Sequence, residues 1–189
     1  MVRHRKAGEE VIMLKEEQEY LDYIANHVFN VQMAYFIFSG ELKKGLNIDD
    51  VKMNCRIYTH DASKYSLEEF YAYRKYFYSV NKLERDKLAF QQAWEHHYCC
   101  NDHYPHYWVV NKEALKDRKN IIAKDMIDEA IAEMLCDWIG MSIAKSTSIV
   151  EWYSQADEKE LFSNNTKAKV DDIMSKDWVK DIHRYSFDR

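Results

Sequence analysis

Turn-forming residues are scarce in this sequence. Its 189 residues include four glycines and one proline, Pro105. Glycine and proline supply many of the tight turns of β-rich folds, and both interrupt helices. Such a low content therefore argues against a turn-rich β architecture and favours long helices.

An excess of positive charge is also missing. The formal net charge is −5, and no basic run is longer than Arg3-His4-Arg5-Lys6, which we interpret as a frayed terminus. A protein that binds nucleic acid through phosphate contacts usually carries a basic surface. Nucleic-acid binding is therefore not expected.

Long apolar stretches are absent as well. The longest, from Met33 to Ser39, is far shorter than the roughly 20 residues that a membrane-spanning helix needs. The N-terminus also lacks the apolar segment and small-residue cleavage site of a secretory leader. We therefore expect a cytoplasmic protein without a membrane partner.

The cysteines do not form a metal-binding or redox motif. Cys55, Cys99, Cys100 and Cys136 contain no pair with the CxxC spacing. This pattern argues against a zinc ribbon and against a thioredoxin-type site. Reduced thiols in a cytoplasmic protein are the expected state.

The composition that is present is that of a globular helical protein. Apolar residues make up 47% and charged residues 31% of the chain, a balance that suits a folded domain. No repeat, linker or change in composition marks a boundary. We therefore predict one all-α domain over residues 1–189, a helical bundle with a core at about residues 20–144 and C-terminal helices in residues 145–189 packed on it.

Apolar residues recur at three- and four-residue steps in several segments, which predicts helices. The predicted helices cover about residues 9–43, 51–58, 66–77, 82–98, 124–144, 149–153 and 166–174. Asn47 or Asp49 is expected to cap the second helix, and Ser66 with Glu69 forms a capping-box pattern that opens the third. The segment 99–108 holds the proline and is expected to be an ordered loop.

Histidine and carboxylate residues supply the candidate chemistry. The histidines concerned are His27 on the first predicted helix, His60 beside Asp61, and the group His96, His97, His103 and His106. Glu133 and Asp137 lie four residues apart on one helical face. Imidazoles and carboxylates suit ions such as Zn, Mn or Fe, and ligands from several helices can converge inside a bundle.

Each of these features also has an ordinary alternative. The pair His60-Asp61 alone is typical of a helix end with a capping aspartate, and His27 alone is typical of a core histidine. The carboxylate pair on the later helix could form a solvated stripe. A structural zinc site is the alternative for the histidine group at residues 96–103.

The order of these residues along the chain resembles the HD-domain superfamily of helical metal-dependent phosphohydrolases. The shared pattern is His…His-Asp…Asp with comparable spacing and each ligand on a different helix, and it covers about residues 20–144. Segments at residues 60–65, 93–97, 101–108 and 133–138 are also similar to a family of uncharacterised bacterial and phage proteins. That closer family implies no activity, so the functional expectation comes from the superfamily, as does an HD-domain-like arrangement of the bundle.

The resemblance implies a metal centre. The matching ligand positions are His27, His60, Asp61 and Asp137, with His97 and His103 as candidates for a second ion and His96 as the alternative to His97. The implied cofactor is one or two divalent ions of Zn, Mn, Mg, Co or Fe.

The activity that the resemblance implies is hydrolysis of a nucleotide or related small phosphoester through a metal-activated water. Asp61 would bridge or bind the ions. Many nucleotide-hydrolysing members carry a Glu three residues after this Asp, whereas this chain has Lys64 there. We expect Lys64 to hold a phosphate oxygen, and a surface ion pair with Glu68 is the alternative.

The remaining expectations concern the substrate side and its surroundings. His96, Asn101 and Glu133 are expected to bind substrate, with capping of a helix C-terminus as the alternative for Asn101. His106 is expected on the surface of the loop.

Two other functions stay open from the sequence. Some members of the same superfamily use a di-iron centre with a comparable ligand set to oxidise substrates with dioxygen, and the missing Glu leaves that chemistry open. The chain could also be a non-catalytic binding protein that keeps a structural ion. The expected partner is a small phosphoester or nucleotide, and a homodimer is left open.

Overall fold

The computed structural model describes residues 14–79 and 85–187, and these ranges are all-helical. The α-helices are α1 (Lys15–Leu42), α2 (Asp50–Tyr58), α3 (Phe70–Tyr78), α4 (Lys87–Cys100), α5 (Pro105–Trp108), α6 (Asp128–Lys145), α7 (Ile149–Gln155), α8 (Asn164–Met174) and α9 (Asp177–Lys180). Short 3₁₀-helices cover Ala62–Tyr65, Lys112–Lys116, Asp157–Leu161 and Ile182–Arg184. The described ranges contain one isolated antiparallel bridge, between Val109 and Ala123, and no strand. The all-α prediction is confirmed.

Two predicted helix starts differ from the structure for local reasons. The helix predicted from residue 82 begins at Lys87, because the Asp86 side chain accepts hydrogen bonds from the backbone N–H groups of Leu88 and Ala89, both at 3.0 Å. The helix predicted from residue 124 begins at Asp128, because the backbone N–H of Lys124 bonds to the Trp108 carbonyl and keeps this segment extended. The predicted residues 9–13 and 82–84 lie outside the described ranges.

The capping predictions have opposite outcomes. Asp49 caps α2 and accepts from the backbone N–H groups of Val51 and Lys52. The capping box at Ser66 and Glu69 is wrong, because α3 begins at Phe70 with no side-chain cap. The Glu69 carboxylate turns instead toward α4.

The segment predicted as a loop at residues 99–108 is partly helical. It contains the end of α4 and the short helix α5, which begins at Pro105. Proline suits the first helical position because its missing N–H has no partner there in any case.

The centre of the fold is the contact between α1 and α6. Helix α6 is buried on nearly all sides, as expected for a central helix. At Gly140 a Cβ atom would lie 3.0 Å from the carbonyl carbon of Asn30 and 3.1 Å from the backbone nitrogen of Val31. Glycine therefore allows the two backbones to touch, and this contact lies one turn from His27 on α1 and from Asp137 on α6.

The remaining helices cover this pair. The core cluster around α1 and α6 includes residues of α8 and α9 as well as Ile182. A second cluster joins α1 to α3 and α4 through Tyr20, Ile24, Tyr73 and Ala93. None of the helices in the described ranges has the length and apolar character that crossing a membrane requires.

Candidate metal centre

Six residues predicted as metal ligands meet in the interior. They are His27 on α1, His60 and Asp61 after α2, His97 on α4, His103 before α5, and Asp137 on α6. Each is at most 8% exposed. Segments far apart in sequence therefore converge at one buried point.

A single left-handed residue forms the turn that carries His60 and Asp61. Helix α2 ends at Tyr58, and Asp61 follows with φ 56° and ψ 23° before the 3₁₀-helix Ala62–Tyr65. Aspartate enters this conformation more readily than most residues other than glycine. The turn leaves both His60 and Asp61 at 2% exposure or less.

The Oδ2 oxygen of Asp61 faces the first group of ligands. His27 Nε2 lies 3.1 Å from this oxygen and His60 Nε2 lies 3.5 Å from it, while the two nitrogens are 3.2 Å apart. Asp137 Oδ1 lies 3.4 Å from His27 Nε2. Ligands at about 2.0–2.2 Å from one ion are separated by about 3.0–3.5 Å, so the spacing suits a shared cation.

The Oδ1 oxygen of Asp61 faces a second group. His97 Nε2 lies 3.3 Å away and His103 Nε2 lies 3.4 Å away. One carboxylate thus lies between two sets of imidazoles.

Carboxylates also contact the Nδ1 atoms of three of these imidazoles, on the side of each ring away from Asp61. Glu133 Oε1 lies 2.8 Å from His60 Nδ1 and 3.2 Å from His103 Nδ1. Glu69 Oε2 lies 2.8 Å from His97 Nδ1. An ionised carboxylate only accepts hydrogen bonds, so the three Nδ1 atoms donate, and in the neutral imidazoles the Nε2 lone pairs face Asp61.

That orientation leaves polar atoms unsatisfied at the centre. Among the described residues, the buried atoms without a hydrogen-bond partner include His97 Nε2, His103 Nε2, Asp61 Oδ1 and Asp137 Oδ1. Lone pairs that face a carboxylate repel each other, and unpaired buried polar atoms are costly. Divalent cations between these groups would satisfy the four atoms, so the donor set fits metal binding.

Asp61 and Glu133 stay ionised despite their burial. Burial acts to raise the pKa of Asp61, but the electrostatic effects of His60 and of the Lys64 ammonium outweigh it and hold the pKa well below its usual range. Burial opposes ionisation of Glu133 as well, yet the hydrogen bonds from His103 and His60 lower its pKa to about 2. At neutral pH, Asp61 can therefore act as an anionic ligand and Glu133 as an anionic hydrogen-bond acceptor.

Lys64 lies inside this centre. Its Nζ is 2.5 Å from Asp61 Oδ2, and the residue is 8% exposed. The alternative of a surface ion pair with Glu68 is wrong, because the 3₁₀-turn brings Lys64 back onto Asp61 three residues earlier. The ammonium also lies 5.8 Å from the centre of the Tyr23 ring.

Besides Lys64, the residues expected to bind substrate are Glu133, His96 and Asn101, and each of them contacts other protein groups. Glu133 is 4% exposed and lies behind His60 and His103, where its oxygens are already engaged. His96 lies outside the centre on α4, with Nδ1 2.7 Å from Glu69 Oε1, so His97 is the histidine of this pair that faces Asp61. Asn101 ends α4 and donates from Nδ2 to the His97 carbonyl at 2.8 Å. Its alternative as a helix cap is thereby confirmed.

His106 is not on the surface, contrary to the sequence prediction. It is 8% exposed and stacks on Tyr98, with ring centres 5.0 Å apart. Burial lowers the pKa of His106 to about 4. Helix α5 causes this placement, because its first turn lays His106 against α4.

Three residues that the sequence analysis missed support the centre. Glu69 holds His97, and Arg56 Nε lies 2.8 Å from Glu133 Oε2. The Arg56 guanidinium also pairs with Asp102, whose carbonyl accepts a hydrogen bond from Trp108 Nε1 at 2.6 Å. The available signals were weak, since Arg56 precedes His60 by one helical turn and Asp102 directly precedes His103.

Two adjoining cavities reach the centre. Lys64 and His97 line a cavity of about 550 Å³. His103 and Asp137 line one of about 470 Å³. Trp94, Tyr104, Met141 and Lys145 line both cavities, so a small molecule has two approaches to the ligand set.

The chain belongs to a protein family of unknown function, DUF5662, whose family model matches residues 16–176. The matched range contains all six residues that meet around Asp61. No curated protein and no solved structure matches the chain.

Proposed function

We propose that the protein is a metal-dependent phosphohydrolase with an HD-domain-like bundle, acting on a nucleotide or related small phosphoester. The observation that carries the proposal is the position of Asp61, whose two oxygens lie 3.1–3.5 Å from the Nε2 atoms of four histidines. This arrangement suits a two-ion centre without any thiolate ligand. Such a set of nitrogen and oxygen ligands favours Zn, Mn, Co or Fe.

The residues divide into two ligand groups. His27, His60, Asp137 and Asp61 Oδ2 would hold one ion, and His97, His103 and Asp61 Oδ1 would hold a second. A divalent ion in such a site lowers the pKa of a bound water toward neutrality and neutralises charge on a phosphoryl group. The carboxylates behind the imidazoles keep the ligand nitrogens aimed at Asp61.

Lys64 would supply the positive charge that binds the substrate phosphate. Its ammonium has three donor hydrogens, of which Asp61 takes one at 2.5 Å. The same residue lines the cavity of about 550 Å³, so the remaining donors can hold a phosphoryl oxygen beside the ligand set. Pairing with Asp61 keeps the ammonium protonated: burial acts to lower the pKa of Lys64, but the Asp61 charge outweighs it and raises the pKa.

One observation favours a second candidate, a di-iron oxygenase of the same superfamily. Lys64 stands where many nucleotide-hydrolysing members carry a Glu, and its ion pair with Asp61 leaves no carboxylate at that position to orient a water. Four histidines and two aspartates are also suitable ligands for iron. Metal identity and the use of dioxygen separate this candidate from a hydrolase.

Replacement of Asp61 by asparagine tests the site. Asparagine keeps the size of the side chain and tolerates the left-handed backbone, so Asp61→Asn should fold. Asp22→Asn on the exposed face of α1 is the matched control. We expect elemental analysis after dialysis to find metal in the wild type and in Asp22→Asn, but a loss of at least tenfold in Asp61→Asn. Full metal content in Asp61→Asn would show that the site is misplaced.

The activity is tested on the same preparations. We expect the metal-loaded wild type to release phosphate from para-nitrophenyl phosphate and from nucleoside monophosphates, and Asp61→Asn to lose this activity. Metal-containing protein that hydrolyses no member of a broad phosphoester panel would refute the hydrolase. Iron content together with oxygen consumption would support the oxygenase instead.

A further inference from the structure

The described residues that line the cavity beside Lys64 carry positive charge and aromatic rings but no acidic side chain. Its charged lining residues are Lys64 and Lys145, and its rings include Tyr23, Tyr73, Phe77 and Trp94. The second cavity differs in this respect, because Asp137 and Glu158 line it. The cavity of about 550 Å³ is therefore the one that suits an anionic organic molecule.

Lys145 is placed by the helix that carries Asp137. Asp137, Met141 and Lys145 follow each other at four-residue steps on α6, so they lie along one face of the helix. Eight residues of helix span about 12 Å between Asp137 and Lys145. Lys145 therefore lies about two turns from the metal ligands, on the face that lines both cavities.

Lys145 is exposed, and its charge has no partner in residues 14–79 and 85–187. Among the described residues, Lys64 pairs with Asp61, whereas Lys145 has neither an ion pair nor a side-chain hydrogen bond. Glu158 lines a cavity with Lys145, but the two do not form an ion pair. A lysine at a helix C-terminus interacts favourably with the last carbonyls. That interaction does not explain why Lys145 lines both cavities.

From these observations we infer that Lys145 binds a second anionic group of the substrate. The inference rests on the proposed function, which puts the reacting phosphate between Lys64 and the ligand set. The preferred substrate class is then an organic phosphate with a further phosphate or carboxylate, whose carbon skeleton packs against the aromatic rings of the cavity. Lys145 is the residue that distinguishes this class from simple monophosphates.

Two aryl phosphates that differ by one charge test this inference. Phenyl phosphate and 4-carboxyphenyl phosphate share the ring and the phosphate, and the second compound adds a carboxylate. Titration calorimetry with the metal-loaded protein should find that 4-carboxyphenyl phosphate binds about tenfold more tightly, the effect of one charge-assisted hydrogen bond. Lys145→Met should reduce this preference to less than twofold, while Lys145→Arg should keep most of it.

The control removes a charge elsewhere. Lys52→Met lies on the exposed face of α2 and outside both cavities, so it should show the wild-type preference. Equal affinity of the wild type for the two compounds, an unchanged preference in Lys145→Met, or no binding of either compound would overturn the inference. Phosphate release is measured separately, so protein that binds 4-carboxyphenyl phosphate through Lys145 without hydrolysing it would refute the hydrolase alone.

Discussion

Glu133 supports two imidazoles with one carboxylate, and its replacement by glutamine has a definite expected cost. Oε1 contacts the Nδ1 atoms of His60 and His103, while Oε2 lies 2.8 Å from Arg56 Nε. Glutamine has the same shape but only one acceptor atom. In one orientation its NH₂ group faces Arg56, and in the other it faces both Nδ1–H groups. Either orientation sets donor against donor.

The magnitude follows from the supporting role of this residue. Loss of a carboxylate behind a metal-binding histidine costs about 10–100-fold in metal affinity, which is about 1.4–2.7 kcal/mol. Because Glu133 serves two histidines in different ligand groups, we expect Glu133→Gln to lie near the upper end. The measurement is a competition titration of zinc or manganese against a chelator of known affinity at fixed pH.

The matched control is Glu129→Gln, one helical turn earlier on α6. Glu129 is 9% exposed and accepts a hydrogen bond from the backbone N–H of Asp49 at 3.2 Å, so its replacement perturbs the same helix without touching a histidine. We expect its metal affinity to stay within about twofold of the wild type, a difference of about 0.4 kcal/mol. Wild-type affinity in Glu133→Gln, or an equal loss in both variants, would refute the role assigned to Glu133.

Two further expectations concern stability. Gly140→Ala should lower the free energy of unfolding by about 1–3 kcal/mol, because the new Cβ meets the backbone of α1. Gly40→Ala, whose Cβ would meet no other element within 4 Å, should instead gain up to about 1 kcal/mol in helix propensity. Thermal melts that show equal shifts for the two variants would contradict the close contact at Gly140. The pKa of Glu133 falls from 4.5 to about 2 on folding, so its contribution to stability is complete above about pH 4.5 and is lost as the pH falls toward 2. Denaturant titrations of metal-free protein should therefore show a steeper loss of stability over this pH range for the wild type than for Glu133→Gln, and parallel curves would contradict the shift.

Local sequence patterns predicted the helices well. The periodic apolar residues of α1 and α6 identify both helices, because each buries a continuous face along its length. The ligand positions could be proposed from residue type and order along the chain. Their convergence on Asp61 could not be derived from local periodicity, since His60 and Glu133 are 73 residues apart.

The wrong predictions for Glu69 and His106 concern residues whose positions depend on contacts with a distant part of the sequence. Ser66 and Glu69 have the spacing of a capping box, yet Glu69 makes its contacts with His96 and His97 on α4. His106 follows a proline in a polar segment, and only the packing of α5 on α4 buries it. Neither outcome can be read from neighbouring residues, because each depends on how helices distant in sequence come together.

The contact between α1 and α6 at Gly140 has a consequence for the proposed metal site. His27 and Asp137 project from these two helices and lie 3.4 Å apart, so the separation of two ligands is fixed by a backbone contact that neither ligand makes. The packing of the two helices therefore sets the distance between these two side chains. In the proposed metal centre, a change in the core that separates the helices would widen the ligand set and shift its preference toward larger cations.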